Sequence, residues 1–229
     1  MVTQDRFSFG TKMAQSGGFG LTVCFYPCFL TENPSFVCAM PSQNVALPTL
    51  FRSWIPCANP SYDCTIVQAV RATTAAPIFF KAAKFGHPTP QRYLDGGLRC
   101  NNPARYVMQE ARSLYPNRQI SYLLSLGTGA REVISLEESN ALQRVFPVKL
   151  LKMLQAIATD CEDQSEIMAK ELSPSLTSYI RLNVDRGLQE VPPEEWRRLN
   201  DVEAHTQQYL MRHEIGLKVD QLVQALRGM

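Results

Sequence analysis

The chain has 229 residues, long enough for one well-buried core with an appendage. Its 45% hydrophobic and 19% charged residues are the composition of a globular protein, which excludes disorder throughout. The 23 basic and 21 acidic side chains leave a net charge of +2 without a long basic run, so no global field favours nucleic acid or an anionic membrane as partner. Seven cysteines stand at 24, 28, 38, 57, 64, 100 and 161, an odd number with no C-x-x-C pair. The three histidines, at 87, 205 and 213, lack Cys or His neighbours at ligand spacing. That pattern fits a reducing, cytoplasmic compartment and speaks against a disulfide framework, structural zinc or metal catalysis.

Residues 1–33 form an atypical N-terminal segment in which only Asp5, Arg6, Lys12 and Glu32 are charged. Gly17 to Leu30 is uncharged, too short to span a bilayer and broken by Pro27. It reads either as strand and loop or as the apolar region of a signal peptide behind Arg6 and Lys12, with no small-x-small cleavage site close behind.

Ser35 to Met40 is a compact apolar run ending at Pro41, which suits a buried strand. Pro41, Pro48, Pro56 and Pro60 make the following stretch loop-rich. Asp63 is placed to cap a helix running to about Ala75, with Ile66, Val67, Ala69 and Val70 as its apolar face. Pro77 ends that helix, and Gly86-His87-Pro88 makes a turn before a strand that leads into Asp95.

Arg92 to Pro103 packs a strand end, a carboxylate, two glycines and a helix start into a dozen residues. Gly96-Gly97 lets the backbone take φ > 0 or approach another group closely, and Asn102-Pro103 opens a helix as N-cap and N1. Ala104, Val107, Met108, Ala111 and Leu114 then form an amphipathic stripe. Ile120 to Leu126 follows as an almost unbroken apolar strand, as expected when helices cover both sheet faces. Strand, helix, strand at this spacing predicts a right-handed βαβ crossover in a parallel sheet, with Asp95 and Gly127-Thr128-Gly129 facing one crevice at the strand ends. Beyond Asn140 the pattern is mainly helical, with helices expected over 145–158, 159–172, 194–200, 202–212 and 216–226 and a strand over 179–184.

The stretch around Asp95, with Ala72-Thr73-Thr74-Ala75-Ala76-Pro77 upstream and Leu126-Gly127-Thr128-Gly129 downstream, resembles the patatin-like phospholipases, most closely their fungal members. Tyr179 to Val184 and Glu194-Glu195-Trp196 continue the resemblance, which runs from about Pro34 to the C-terminus. It implies a three-layer α/β/α fold with a mostly parallel sheet. In that division residues 34–135 are the C-terminal portion of a patatin-like domain, and 136–229 are a helical extension packed on it. It also implies hydrolysis of lipid acyl esters by a Ser-Asp dyad, with Asp95 of the Asp95-Gly96-Gly97 motif as proton acceptor and with no cofactor or metal. The implied partners are a lipid or acyl ester and peripheral membrane contact, with nucleic acid excluded.

Each candidate has a plainer reading beside it. Asp95 is a dyad base, or an Asp that caps a turn. The family's Gly-x-Ser-x-Gly elbow and oxyanion glycine run do not occur in this chain. Ser16, in Ala14-Gln15-Ser16-Gly17-Gly18, is the nearest approach to a nucleophile, but no helix pattern follows it. This favours an inactive, truncated scaffold that binds lipid or a partner, as the alternative to an acyl hydrolase. Such a chain is expected to associate through an exposed sheet edge. Gly127-Thr128-Gly129 is an anion cradle or a tight turn, and a nucleotide-binding protein is disfavoured because no G-x-G-x-x-G follows a strand. Ala72 to Pro77 reads as architecture bordering the site, His87 as a turn residue, and Asn101 and Asn102 as caps. Trp196 reads as a helix anchor.

Overall fold

A computed structural model describes residues 24–25, 34–54, 64–77, 79–129, 161–188, 191 and 195–227. These residues divide into two compact units, the first holding the described residues up to Pro103 together with Cys161, the second those from Ala104 to Gly129 and from Glu162 onward. The expected helix over 145–158 and the Ser16 loop lie outside the described residues, as does the Trp196 side chain.

The first unit is built on a five-stranded sheet. Its strands are β1 (Cys24–Phe25), β2 (Ser35–Pro41), β3 (Thr49–Arg52), β4 (Ala83–Phe85) and β5 (Gln91–Asp95). Strand β2 is the hub and pairs antiparallel with β1, β3 and β5, while β4 closes the far side of β5 as an antiparallel hairpin. Ser35 to Met40 are all buried, as expected of a strand with both faces covered. The turn at Gly86, with φ +112, joins β4 to β5 where the Gly-His-Pro cluster predicts it.

Helix α1 (Ile66–Thr73) lies on this sheet and buries Ala69, Ala72 and Thr73. Its cap is Thr65, whose hydroxyl accepts from the Gln68 N–H while the Gln68 side chain accepts from the Thr65 N–H. That reciprocal pair sets the start two residues later than Asp63 would, and Val67 then faces solvent. Phe51, Phe85 and Tyr93 form the centre of the core, with ring centroids 4.9 to 5.5 Å apart, and Val37, Ala39, Ala69, Ala72 and Ala83 fill in around them. Small residues on α1 let it sit close to the sheet, and the three aromatic rings are the largest side chains of this core.

The second unit holds α3 (Ala104–Leu114), β6 (Tyr122–Leu126), α4 (Glu162–Leu172), β7 (Ser178–Leu182), a 3₁₀ turn (Trp196–Arg198), α5 (Leu199–Leu210) and α6 (His213–Arg227). Between them in chain order, at the end of the first unit, a single helical turn α2 (Gly97–Cys100) follows β5. Helix α3 buries Ala104, Val107, Met108 and Ala111, the stripe the spacing predicts. Strands β6 and β7 pair in parallel, from Tyr122 opposite Ser178 to Leu126 opposite Leu182. A second small core joins Val184, Tyr209 and Ile215 with Leu182, Leu188 and Val219.

The chain is therefore mixed α/β with a helical C-terminal region. Parallel pairing is confined, among the described residues, to β6 and β7. Among the described residues the expected βαβ crossover is not seen: β5 pairs antiparallel with β2 and β4, and β6 pairs with β7. Nor is β6 covered on both faces: Leu123 is buried, whereas Tyr122, Leu124 and Leu126 are exposed. Period 2 sends alternate side chains to opposite faces, and α3 and α4 pack on one of them.

Candidate active site around Asp95

Asp95 is the last residue of β5 and sits opposite Ala39 of β2, whose methyl group is the smallest side chain that can face a carboxylate in the ladder. Its backbone N–H donates to the Ala75 carbonyl (3.0 Å), and the next N–H, of Gly96, donates to the Thr73 carbonyl (3.2 Å). The strand tip is thus tied to the C-terminal end of α1. Thr74 closes that end, its hydroxyl donating to the Val70 carbonyl at 2.8 Å. The stretch Ala72 to Pro77 thus borders the site by holding the backbone of Asp95 and Gly96 through the Ala75 and Thr73 carbonyls.

Gly96 is required by close approach. Its φ of −64° and ψ of −29° are open to any residue, but a β-carbon there would stand 2.1 Å from the Cys38 carbonyl oxygen on β2. Of the two reasons for the glycine pair, the steric one is therefore the operative one at this position. Gly97 begins α2 and donates its N–H to Asp95 Oδ1 at 2.5 Å. Arg99 and Cys100 donate back to the Gly96 carbonyl and complete the turn. Asn102 is buried, and its side-chain amide donates to the Cys161 carbonyl at 3.3 Å.

Asp95 is 4% exposed, and its Oδ2 is buried with no hydrogen-bond partner among the described residues. Burial disfavours the charged form and raises the pKa from 3.8 to about 6, against a smaller lowering by the Gly97 N–H. A buried carboxylate with one satisfied and one unsatisfied oxygen, titrating close to neutrality, is suited to accept a proton from a neighbouring group. A surface turn-cap would instead keep an ordinary carboxylate pKa.

The other candidates fall differently. Gly127 donates its N–H to the Leu182 carbonyl (2.8 Å), and Gly129, at φ +113, donates to Asn183 Oδ1 (2.8 Å). Both N–H groups are engaged within the protein, which makes this segment the tight turn of the two readings. His87 is an exposed turn residue. Thr73 and Ala75 lie in the stretch read as bordering the site, whereas Ala39 was not legible as a site element, because only the antiparallel register brings it opposite Asp95.

Residues 36–108 match the family model of the patatin-like phospholipases. The calcium-independent phospholipase A2-gamma of Oryctolagus cuniculus is 33% identical over 153 residues, covering 66% of this chain and 18% of that protein. Intracellular phospholipase A2 of Caenorhabditis elegans is 34% identical over 114 residues, covering 43% of this chain and 10% of that protein. Patatin-like protein 2 of Arabidopsis thaliana is 26% identical over 165 residues, 60% of this chain and 40% of that protein. The chain thus spans less than half the length of each of these relatives, and about a fifth of the first. With the Asp-Gly-Gly turn and its buried carboxylate inside the matched segment, the chain belongs to the patatin-like phospholipase family.

Proposed function

We propose that this chain carries the proton-accepting half of a lipid acyl hydrolase, with Asp95 as the base of a Ser-Asp dyad. The observation that carries the reading is the buried, partnerless Oδ2 of Asp95 together with a pKa held near 6. Oδ2 accepts the proton of a serine hydroxyl as that oxygen attacks the ester carbonyl. The tetrahedral intermediate collapses, Asp95 returns the proton to the departing alcohol, and an acyl-serine remains. Water, deprotonated by the same carboxylate, then releases the fatty acid and restores the serine. The substrate class is a phospholipid or lysophospholipid ester, in keeping with the phospholipases it resembles.

The test is hydrolysis of a short-chain acyl ester by the purified chain beside Asp95→Asn and Ser16→Ala. Loss of activity in both variants assigns Ser16 as the nucleophile. Loss in Asp95→Asn alone supports the base and places the nucleophile at another serine. Full activity in Asp95→Asn overturns the reading. A folded parent without activity favours the second reading, a scaffold that keeps the base and binds lipid or a partner chain, which the missing Gly-x-Ser-x-Gly pattern favours from the sequence side.

A further inference from the structure

Ala76, next in the chain to the residue whose carbonyl holds the Asp95 N–H, accepts hydrogen bonds from both Phe79 (3.2 Å) and Phe80 (2.9 Å). This tight turn fixes two consecutive aromatic residues at the surface, Phe79 46% and Phe80 62% exposed. Lys81 follows, also exposed. In β4, Ala83 and Phe85 point into the core and Lys84 points out. Lys84 is the register partner of Arg92 on β5, and both are exposed. Two cations facing each other across an antiparallel pair repel one another, and an anion outside the protein relieves that repulsion.

The charge balance of the stretch from Pro34 to Pro103 reinforces the pattern. Its cations are Arg52, Arg71, Lys81, Lys84, Arg92 and Arg99, against the two carboxylates Asp63 and Asp95. Asp95 is buried. The modest net charge of the whole chain conceals this local excess. Exposed aromatic rings flanked by lysines are the arrangement that enters the headgroup layer of a bilayer, with the rings at the acyl boundary and the ammonium groups at the phosphates. No helix among the described residues is long and apolar enough to cross a membrane, so the contact is with one leaflet.

We propose that the Phe79-Phe80 turn, with Lys81, Lys84 and Arg92, is a docking surface for an anionic phospholipid bilayer. This deepens the acyl hydrolase reading and rests on it for its purpose: the turn that meets lipid is covalently continuous with the Ala75 carbonyl that holds Asp95. Docking would bring the site to the substrate, whereas a soluble ester needs no such surface.

The experiment is co-sedimentation of the purified chain with vesicles of phosphatidylcholine alone and of phosphatidylcholine doped with phosphatidylglycerol. Phe79→Ser/Phe80→Ser is expected to lower the partition coefficient on both vesicle types by roughly tenfold or more, from the apolar area withdrawn. Each of Lys81→Gln and Lys84→Gln is expected to lower it roughly fivefold on anionic vesicles and leave neutral vesicles unchanged. Leu176→Ser, at an exposed leucine of the other unit, is the control and is expected to change neither. An equal fall in Leu176→Ser overturns the proposal, as does partition that ignores the lysines. So does a parent that avoids vesicles but self-associates through Phe79 and Phe80, which makes the face a contact between copies. Because sedimentation needs no catalysis, a parent chain that binds neither vesicle type yet hydrolyses a soluble ester refutes the docking surface and leaves Asp95 standing. Binding without hydrolysis supports the surface and counts against the catalytic reading.

Discussion

Gly96 lies against the backbone of Cys38 so tightly that a β-carbon would be 2.1 Å from the Cys38 carbonyl oxygen and 2.8 Å from its carbon. The obstruction is main chain in the hub strand of the sheet, which cannot rotate away as a side chain would. Gly96→Ala is therefore expected to destabilise the protein by about 3 kcal/mol or more, at or beyond the upper end of overpacking costs. At Gly97 the nearest atom is Asp95 Oδ1, at 2.8 Å, the end of a side chain that can turn. Gly97→Ala should melt closer to the parent but disturb the carboxylate. Denaturant unfolding of the two variants, side by side, checks the order: an equal loss would mean that the Cys38 contact is not what fixes Gly96.

The pKa of Asp95 makes a prediction about stability with a definite sign. The unfolded chain releases this proton near 3.8 and the native chain near 6. Between those values the native state binds more protons, so stability is highest below the lower pKa and declines as pH rises through the upper one. The full difference corresponds to about 3 kcal/mol. Asp95→Asn removes the buried charge and keeps an oxygen for the Gly97 N–H. It is expected to exceed the parent by roughly 1 to 3 kcal/mol above about pH 7, and to lose that advantage near about pH 4. Thermal melts of both proteins across this range test it, and an advantage independent of pH would show that Asp95 does not titrate near 6. In the proposed reaction the base must be ionised, so hydrolysis should fall along a single-proton curve as pH drops through about 6.

The features visible in the sequence are those carried by local pattern. Ser35 to Met40, the α3 stripe and the strand at Tyr179 announce themselves through apolar periodicity, and Asp95 stands at a strand tip where its glycines put it. Strands Thr49–Arg52 and Ala83–Phe85 did not, since four and three residues are too short to show a period, and Pro48 masks the first. Ladder direction is set by contacts far apart in sequence, so the spacing of β5, α3 and β6 pointed to a crossover that the antiparallel ladders of β5 replace. The same holds at the site. The glycine pair advertised a close approach, but which backbone it meets, and that Asp95 Oδ2 is left buried without a partner, depend on β2 and α1.

Helix α1 orients the Thr73 and Ala75 carbonyls that hold the Asp95 turn, and its start depends on one reciprocal cap. Thr65→Ala removes the acceptor for the Gln68 N–H and is expected to cost about 1 kcal/mol, while Thr65→Ser keeps most of the stability. Gln68→Ala should lose less, because the Thr65 N–H lies at an exposed helix end where water replaces the lost acceptor. Equilibrium unfolding of the three variants decides the matter, and equal behaviour of Ala and Ser at position 65 would refute the cap.

Asn183 links the turn after β6 to α4: its Oδ1 accepts from the Gly129 N–H at 2.8 Å, and its Nδ2 donates to Glu162 Oε1 at 2.8 Å. Arg181 donates to the same Glu162 oxygen at 3.0 Å and to Ser125 Oγ at 2.9 Å, so Arg181 ties β7 to β6 while Glu162 holds Arg181 and Asn183 to α4. Asn183→Ala deprives Gly129 of this acceptor and is expected to cost about 1 to 2 kcal/mol. Asn183→Asp keeps an oxygen for Gly129 but sets a second carboxylate against Glu162, and like charges at that distance repel. Its loss should exceed that of Asn183→Ala at neutral pH. Adding Glu162→Gln to Asn183→Asp should recover part of the loss, and a double-mutant cycle measures how much. Strict additivity in that cycle would mean that the two side chains do not act on each other.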